Sequence, residues 1–318
     1  MNTRLASSFS STGKLRNLAE LIARFSKTDG MHATDFSPLS LIRSSQETVP
    51  IYTVYEPSIC LVAQGSKLVL LGDEAYRYGP SQYFAVSVDL PISGQIIEAS
   101  AELPYLAVRL QIDPQQILEL MHGSDHNDPF SSARDSTGTV RGLYVSSAGE
   151  SLLDAFLRLL GMLDTPQDIP ALAPLAAREI LYRALCDGQG RALRQMVPGA
   201  GRAAFIAEVI RHIRATYSKP LRIDELAGQA GMSPSSLHRH FRDVTAMSPL
   251  QFQKRIRLQE ARSMMLTESL QAAEAAFRVG YESPSQFNRE YVRLFGLPPL
   301  SDIRRLRSLS EAQWATEV

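Results

Sequence analysis

The chain has 318 residues, 44% hydrophobic and 21% charged, with 33 Lys and Arg balancing 33 Asp and Glu. That length exceeds the ~100–200 residues usual for one domain, and two cysteines, Cys60 and Cys186, exclude a disulfide framework or a CxxC metal pattern. No apolar run approaches the ~20 residues that span a bilayer, and the Ser/Thr-rich start lacks the apolar core of a secretory signal, so a soluble cytoplasmic protein with no membrane partner is expected.

In chain order, Leu15, Leu18, Leu21, Ile22 and Phe25 recur at helical spacing and predict a short amphipathic helix over 14–25, closing before Gly30 and packing on the next domain. From Leu39 to Leu110 the pattern changes to short β-rich runs: 51–55, 59–64, 67–71, 75–78, 83–88, 92–98 and 105–110. Turn residues such as Gln64-Gly65, Gly72-Asp73, Gly79-Pro80 and Ser93-Gly94 separate them. Many short strands at even spacing predict a small barrel or sandwich. Asp113-Pro114 supplies an N-cap and a first helical residue for a helix reaching Met121, and the polar stretch 122–139 reads as a loop. Leu152, Leu153, Phe156, Leu159, Leu160 and Leu163 mark one further amphipathic helix, and Leu175, Ile180, Leu181, Ala184 and Leu185 another. Pro198-Gly199-Ala200-Gly201 reads as a flexible linker.

Beyond the linker the chain repeats itself. Ser233-Pro234-Ser235-Ser236-Leu237-His238-Arg239-His240-Phe241 returns fifty positions later as Ser283-Pro284-Ser285-Gln286-Phe287-Asn288-Arg289-Glu290-Tyr291, and Val244, Ala246, Pro249 and Leu250 are answered by Leu294, Gly296, Pro299 and Leu300. Each copy opens with a serine N-cap and a proline at the first helical position. Leu237, Phe241 and Val244, and then Phe287, Tyr291 and Leu294, give each helix one buried stripe. Upstream lie short alanine-containing helices, 223–230 and 270–279, that end at Gly231 and Gly280, where a left-handed residue suits a tight turn. The pattern predicts two helix-turn-helix units. Charge agrees with the division: residues 202–307 carry 17 Lys and Arg against 10 Asp and Glu (+7), residues 1–201 carry 16 against 21 (−5), and the tail adds −2. A basic nucleic-acid module joined to an acidic sensing module shows that asymmetry.

Residues from about 202 to 307 resemble the DNA-binding domain of AraC/XylS family transcription regulators, with Pro249 to Leu266 as the long helix between the two units and Ala275 to Pro299 as the family's ending. The stretches Pro57 to Lys67 and Ser87 to Gly94 resemble the cupin-like N-terminal domain of one branch of that family. The resemblance implies an α+β chain: an N-terminal cupin-like β-barrel with a helical dimerisation segment, and a C-terminal all-α domain with two helix-turn-helix units. The expected division is 1–30 helical, 31–145 effector-binding, 146–198 linker and dimerisation, 202–307 DNA-binding and 308–318 tail. It implies double-stranded DNA as partner, a small-molecule effector, a homodimer, and RNA polymerase if the protein is an activator.

Side chains at the start of a helix set in the major groove reach bases and phosphates. In the first unit Ser235, Ser236, His238 and Arg239 are assigned to the groove, and Ser233 and Arg242 to the DNA backbone. In the second, Ser285, Gln286, Asn288 and Arg289 take the groove, and Ser283 and Arg293 the backbone. Ser233 and Ser283 are first of all helix caps. A cupin-type metal enzyme is the competing class, but His32, His122 and His126 are the only histidines before the linker and none lies in the strand-rich segment, so no metal, cofactor or catalysis is expected. Asp125 and Asp128 beside His122 and His126 read as a solvated turn. Cys60, between Ile59 and Leu61, reads as a buried strand residue or else as a redox or electrophile sensor. A third reading makes the barrel only a dimerisation or protein-contact module, and the binding residues for an effector are not assigned.

Overall fold

The structure, a computed structural model, describes residues 2–122, 140–195, 197 and 202–308. Helix α1 (Asn2–Phe25) begins earlier than its apolar spacing suggests and ends where the Ser26 hydroxyl donates to the Ile22 carbonyl at 2.6 Å. The strands β1 (Gly30–Ala33), β2 (Leu39–Ser44), β3 (Ile51–Tyr55), β4 (Ser58–Gln64), β5 (Ser66–Leu71), β6 (Glu74–Tyr78), β7 (Gln82–Val86), β8 (Leu90–Glu98) and β9 (Tyr105–Gln111) come next, and then α2 (Pro114–His122). After the undescribed stretch come β10 (Leu143–Ser147), α3 (Glu150–Gly161), two single 3-10 turns, α4 (Ile169–Cys186) and the short α5 (Arg191–Arg194). All seven runs marked by turn residues are strands. β1, β2 and β10 are additional, and β1 and β10 are short edge strands whose sequences carry little alternation.

The strands form two antiparallel sheets, one of six in the order β1-β2-β9-β4-β7-β10 and one of four in the order β3-β8-β5-β6. The expected cupin-like barrel thus takes an open, two-sheet form. Side chains alternate across a strand, and both faces of the six-stranded sheet are covered. On β4, Ile59, Leu61 and Ala63 pack outward with α1, α3 and α4, whereas Cys60 and Val62 face the second sheet. Burial on both faces explains why β4 is buried from Ser58 to Ala63.

The C-terminal part is helical: α6 (Arg202–Ala215), α7 (Ile223–Gln229), α8 (Pro234–Thr245), α9 (Pro249–Thr267), α10 (Ala272–Arg278), α11 (Pro284–Phe295) and α12 (Pro299–Ser308). The expected linker at 198–201 and the tail beyond 308 lie outside the described residues. The core of the first unit is continuous with the space between the sheets: Ile206, Ile210, Leu237, Phe241 and Phe252 belong to the same apolar cluster as Val69, Phe84, Leu90 and Ile92.

The second unit closes around a buried charge. Arg262 on α9 donates to both carboxylate oxygens of Asp302 on α12, at 2.8 and 3.0 Å, and Tyr291 on α11 donates to the same carboxylate at 2.8 Å. Asp302 is fully buried and the Arg262 side chain is 6% exposed. Removing one partner strands the other charge away from water, so Asp302→Ala is expected to cost ~3–5 kcal/mol of unfolding free energy. Chemical denaturation checks this, and a loss below ~1 kcal/mol would show that the pair behaves as a solvated surface bridge.

Candidate nucleic-acid interface and adjoining cavity

Each helix-turn-helix is built by the same local chemistry. In the first, Gly231 adopts a left-handed φ of +59°, and in the second Gly280 adopts +91°, each just after the first helix. At Gly280 a Cβ would also stand 2.1 Å from the Ser218 carbonyl oxygen, so no other residue fits without moving backbone. Two residues after Gly231 and three after Gly280 the caps form. The Ser236 amide donates to Ser233 Oγ at 3.3 Å, and the Gln286 amide donates to Ser283 Oγ at 3.4 Å. Both helices then end in a left-handed residue, Ala246 at φ +60° and Gly296 at +79°.

The caps leave matching faces outward. On α8, Ser233, Ser235, Arg239 and Arg242 are exposed, and Ser236 and His238 are half-buried. On α11, Ser285, Gln286, Asn288, Arg289 and Arg293 are exposed and Ser283 is half-buried. Leu237, Phe241, Phe287 and Tyr291 are buried, as their spacing requires. Three assigned side chains have local side-chain partners: Ser235 Oγ lies 3.1 Å from Ser233 Oγ, and Gln286 Nε2 donates to Glu290 Oε1 at 3.2 Å. Glu290 also accepts from Lys254 at 2.6 Å and from Tyr281 at 2.7 Å. Burial pushes its carboxyl up, but these bonds outweigh burial and hold it below the usual carboxylate range.

Sequence and fold matches agree with this geometry. The model of the AraC-type transcriptional regulator N-terminus fits residues 35–192, and that of a helix-turn-helix domain fits residues 226–305. The chain belongs to the AraC family of transcriptional regulators. Among curated AraC-family relatives, the transcriptional regulator GbdR of Pseudomonas aeruginosa is 28% identical over 159 residues, half of this chain and 42% of that protein. The RCS-specific activator RclR of Escherichia coli is 39% identical over 88 residues, 28% of this chain and 31% of that protein. This chain therefore covers less than half the length of either. A structure of ToxT from Vibrio cholerae matches with TM-score 0.56, and one of ToxT with bound unsaturated fatty acid with 0.54, each at 11% identity. They cover 84% and 86% of this chain and 97% and 96% of ToxT, and at that identity they show the fold alone.

Periodicity alone did not reveal how this AraC-family chain fastens its first unit to the sheets. Arg141 donates through Nη1 to the Arg242 carbonyl at 2.6 Å and to the Asp243 carbonyl, satisfying the C-terminal end of α8, while Glu74 holds the same guanidinium at 2.6 and 2.9 Å. The Gly142 amide donates to the Val244 carbonyl at 2.9 Å. Arg214 on α6 bridges Asp89 at 2.8 Å and Glu56 at 2.9 Å. Gln259 on α9 reaches the Thr53 and Ile92 carbonyls at 3.4 and 3.3 Å.

Between the sheets lies a cavity of about 260 Å³, lined in part by Tyr55, Glu56, Cys60, Lys67, Tyr78, Phe84 and Arg109. Cys60 is 8% exposed and faces Arg109 across the β4–β9 pair. Burial pushes its thiol up against the opposing pull of Lys67 and Arg109, which favours the protonated form. Cys186 ends α4 at the surface. His126, Asp125 and Asp128 lie outside the described residues. The inward parity of Lys67 with Val69 and Leu71 was the signal in the sequence for a cavity cation: a lysine on the buried register of a strand.

Because Ser233 and Ser283 each satisfy an otherwise open amide, Ser233→Ala and Ser283→Ala are each expected to lower stability by ~1 kcal/mol, and the glycine variants by only a few tenths. Denaturant melts of the two series check this; equal losses for alanine and glycine would contradict a capping role.

Proposed function

We propose that this chain is a sequence-specific DNA-binding transcription regulator of a bacterial cytoplasm, without enzymatic activity, whose two-sheet N-terminal part responds to a small molecule. The observation that carries the reading is the duplication. Two capped helices, fifty residues apart, hold an arginine at the same position of the repeat, Arg239 and Arg289, and both are exposed. An exposed serine- and arginine-bearing helix start fits the major groove, where arginine pairs with guanine and the helix N-terminus favours phosphate. Ser235, Ser236 and His238, with Ser285, Gln286 and Asn288, complete the groove set. Ser233, Arg242, Ser283 and Arg293 face the DNA backbone in this reading. Gln286, tied to Glu290, must give up that bond to read a base.

Residues 31–145 serve as the effector domain, 146–198 as linker and dimerisation segment, and 202–307 as the DNA-binding domain. The cavity supports a ligand role for the first of these over a purely structural one. On α4, Leu175 is 62% exposed and Leu172 and Tyr182 lie along the same stripe, which supports a homodimer through this helix. RNA polymerase is a partner if regulation is positive.

Arg239→Ala and Arg289→Ala should each weaken binding to a preferred site by ~1–3 kcal/mol and relax specificity at the contacted base pair. Arg242→Ala and Arg293→Ala should weaken binding to all sequences alike and flatten its salt dependence. Fluorescence anisotropy at two salt concentrations checks both. If Arg239→Ala and Arg289→Ala bind the preferred site as tightly as the parent, the groove assignment is wrong.

A further inference from the structure

If the N-terminal part is an effector domain, its cavity has a chemistry that selects one class of occupant. We propose that this cavity binds a small organic carboxylate with a flat apolar body, the anionic group held by Lys67 and Arg109 and the body laid along Tyr55, Tyr78 and Phe84.

The charge balance of the walls comes first. Lys67 is 3% exposed, a depth lysine almost never reaches. Its amine stands 5.4 Å from the centre of the Tyr55 ring. Arg109 enters from the opposite sheet, and both basic groups act on the Cys60 thiol between them. Glu56, the one carboxylate among the described lining residues, is 4.0 Å from Arg109 but has closer partners in Arg214 at 2.9 Å and Gln111 at 3.3 Å. Among the described residues the lining holds two basic groups, Lys67 and Arg109, and one carboxylate, which also serves a third cation. A guanidinium with a neighbouring amine favours a planar oxyanion, which takes two parallel hydrogen bonds from the arginine.

Shape gives the rest. Tyr78 and Phe84 lie stacked, 5.0 Å apart at 11°, and Tyr55 stands edge-on to Phe84 at 6.2 Å and 88°. These walls suit a ring or short chain. At about 260 Å³ the space falls below the ~300–1,000 Å³ that drug-sized ligands fill, so the occupant is small.

The test uses the full chain and a panel of benzoate, phenylacetate, 3-phenylpropanoate and hexanoate, each beside its neutral amide, read by melting temperature and by calorimetric affinity. At least one carboxylate is expected to raise the melting temperature, with its amide binding about tenfold or more weakly. Lys67→Met and Arg109→Met should each cost that carboxylate about tenfold in affinity while keeping the ligand-free melting temperature near that of the parent. If either methionine variant fails to fold, Lys67→Gln or Arg109→Gln replaces it. The proposal is overturned if no carboxylate of the panel binds, if acids and amides bind alike, or if binding survives both substitutions. Sequence-specific DNA binding is measured on the same samples: its presence without carboxylate binding sinks the ligand class and leaves the regulator reading standing, and its absence sinks that reading separately.

Discussion

The arrangement turns on Arg214. It stands at the C-terminal end of α6 and bridges Asp89, ahead of β8, and Glu56, between β3 and β4. Burial pulls its guanidinium pKa down, yet the bonds to the two carboxylates outweigh burial and hold it above the ordinary arginine value. One cation thus fastens the first helix of the C-terminal helical part to the sheets at two points. Around it, the apolar side chains of α6, α8 and α9 complete a core that the two sheets leave open. A sandwich with this face uncovered would expose a broad apolar surface, and the helical part removes it from water.

The same contacts place the cavity wall and the C-terminal helices on common structure. β3 lines the cavity through Thr53, Val54 and Tyr55, receives Gln259 of α9 at the Thr53 carbonyl, and carries Tyr52, whose ring meets Phe295 of α11 edge-on at 4.9 Å. Arg262, at the centre of α9, lies 5.4 Å from that Tyr52 ring and 4.4 Å from Phe295 while holding Asp302. β3 thus touches the cavity, α9 and α11 of the second unit, and Glu56 at its end joins the cavity lining to α6 through Arg214. Arg141 does the equivalent for α8, joining its last carbonyls to Glu74 of β6.

Much of this was legible in the sequence where local rules act alone. The serine caps, the glycine turns and the apolar stripes of α8 and α11 depend on a few neighbouring residues, and the duplication let one copy check the other. The seven strands between 51 and 110 announced themselves through turn residues. What the sequence did not show depends on long-range placement. Arg214 and Arg262, on the basic C-terminal stretch, and Arg141, before it, carry no local sign of their partners until the fold sets carboxylates or helix ends beside them, across 158 residues in the case of Glu56 and Arg214. β10 pairs with β7 only after a long polar stretch, so nothing local marks it as a strand. Lys67 was a partial exception, since strand parity already turns it inward with Val69 and Leu71.

Selection of bound fragments from a genomic DNA library by the full-length protein, with and without a binding carboxylate, tests most directly whether the two capped helices read DNA together. A bipartite site is expected, with half-elements one helical turn (about 34 Å) apart and weaker binding at higher salt. Recovery of a single short element, or of no preferred sequence under either condition from well-folded protein, would contradict a pair of helices set in successive major grooves.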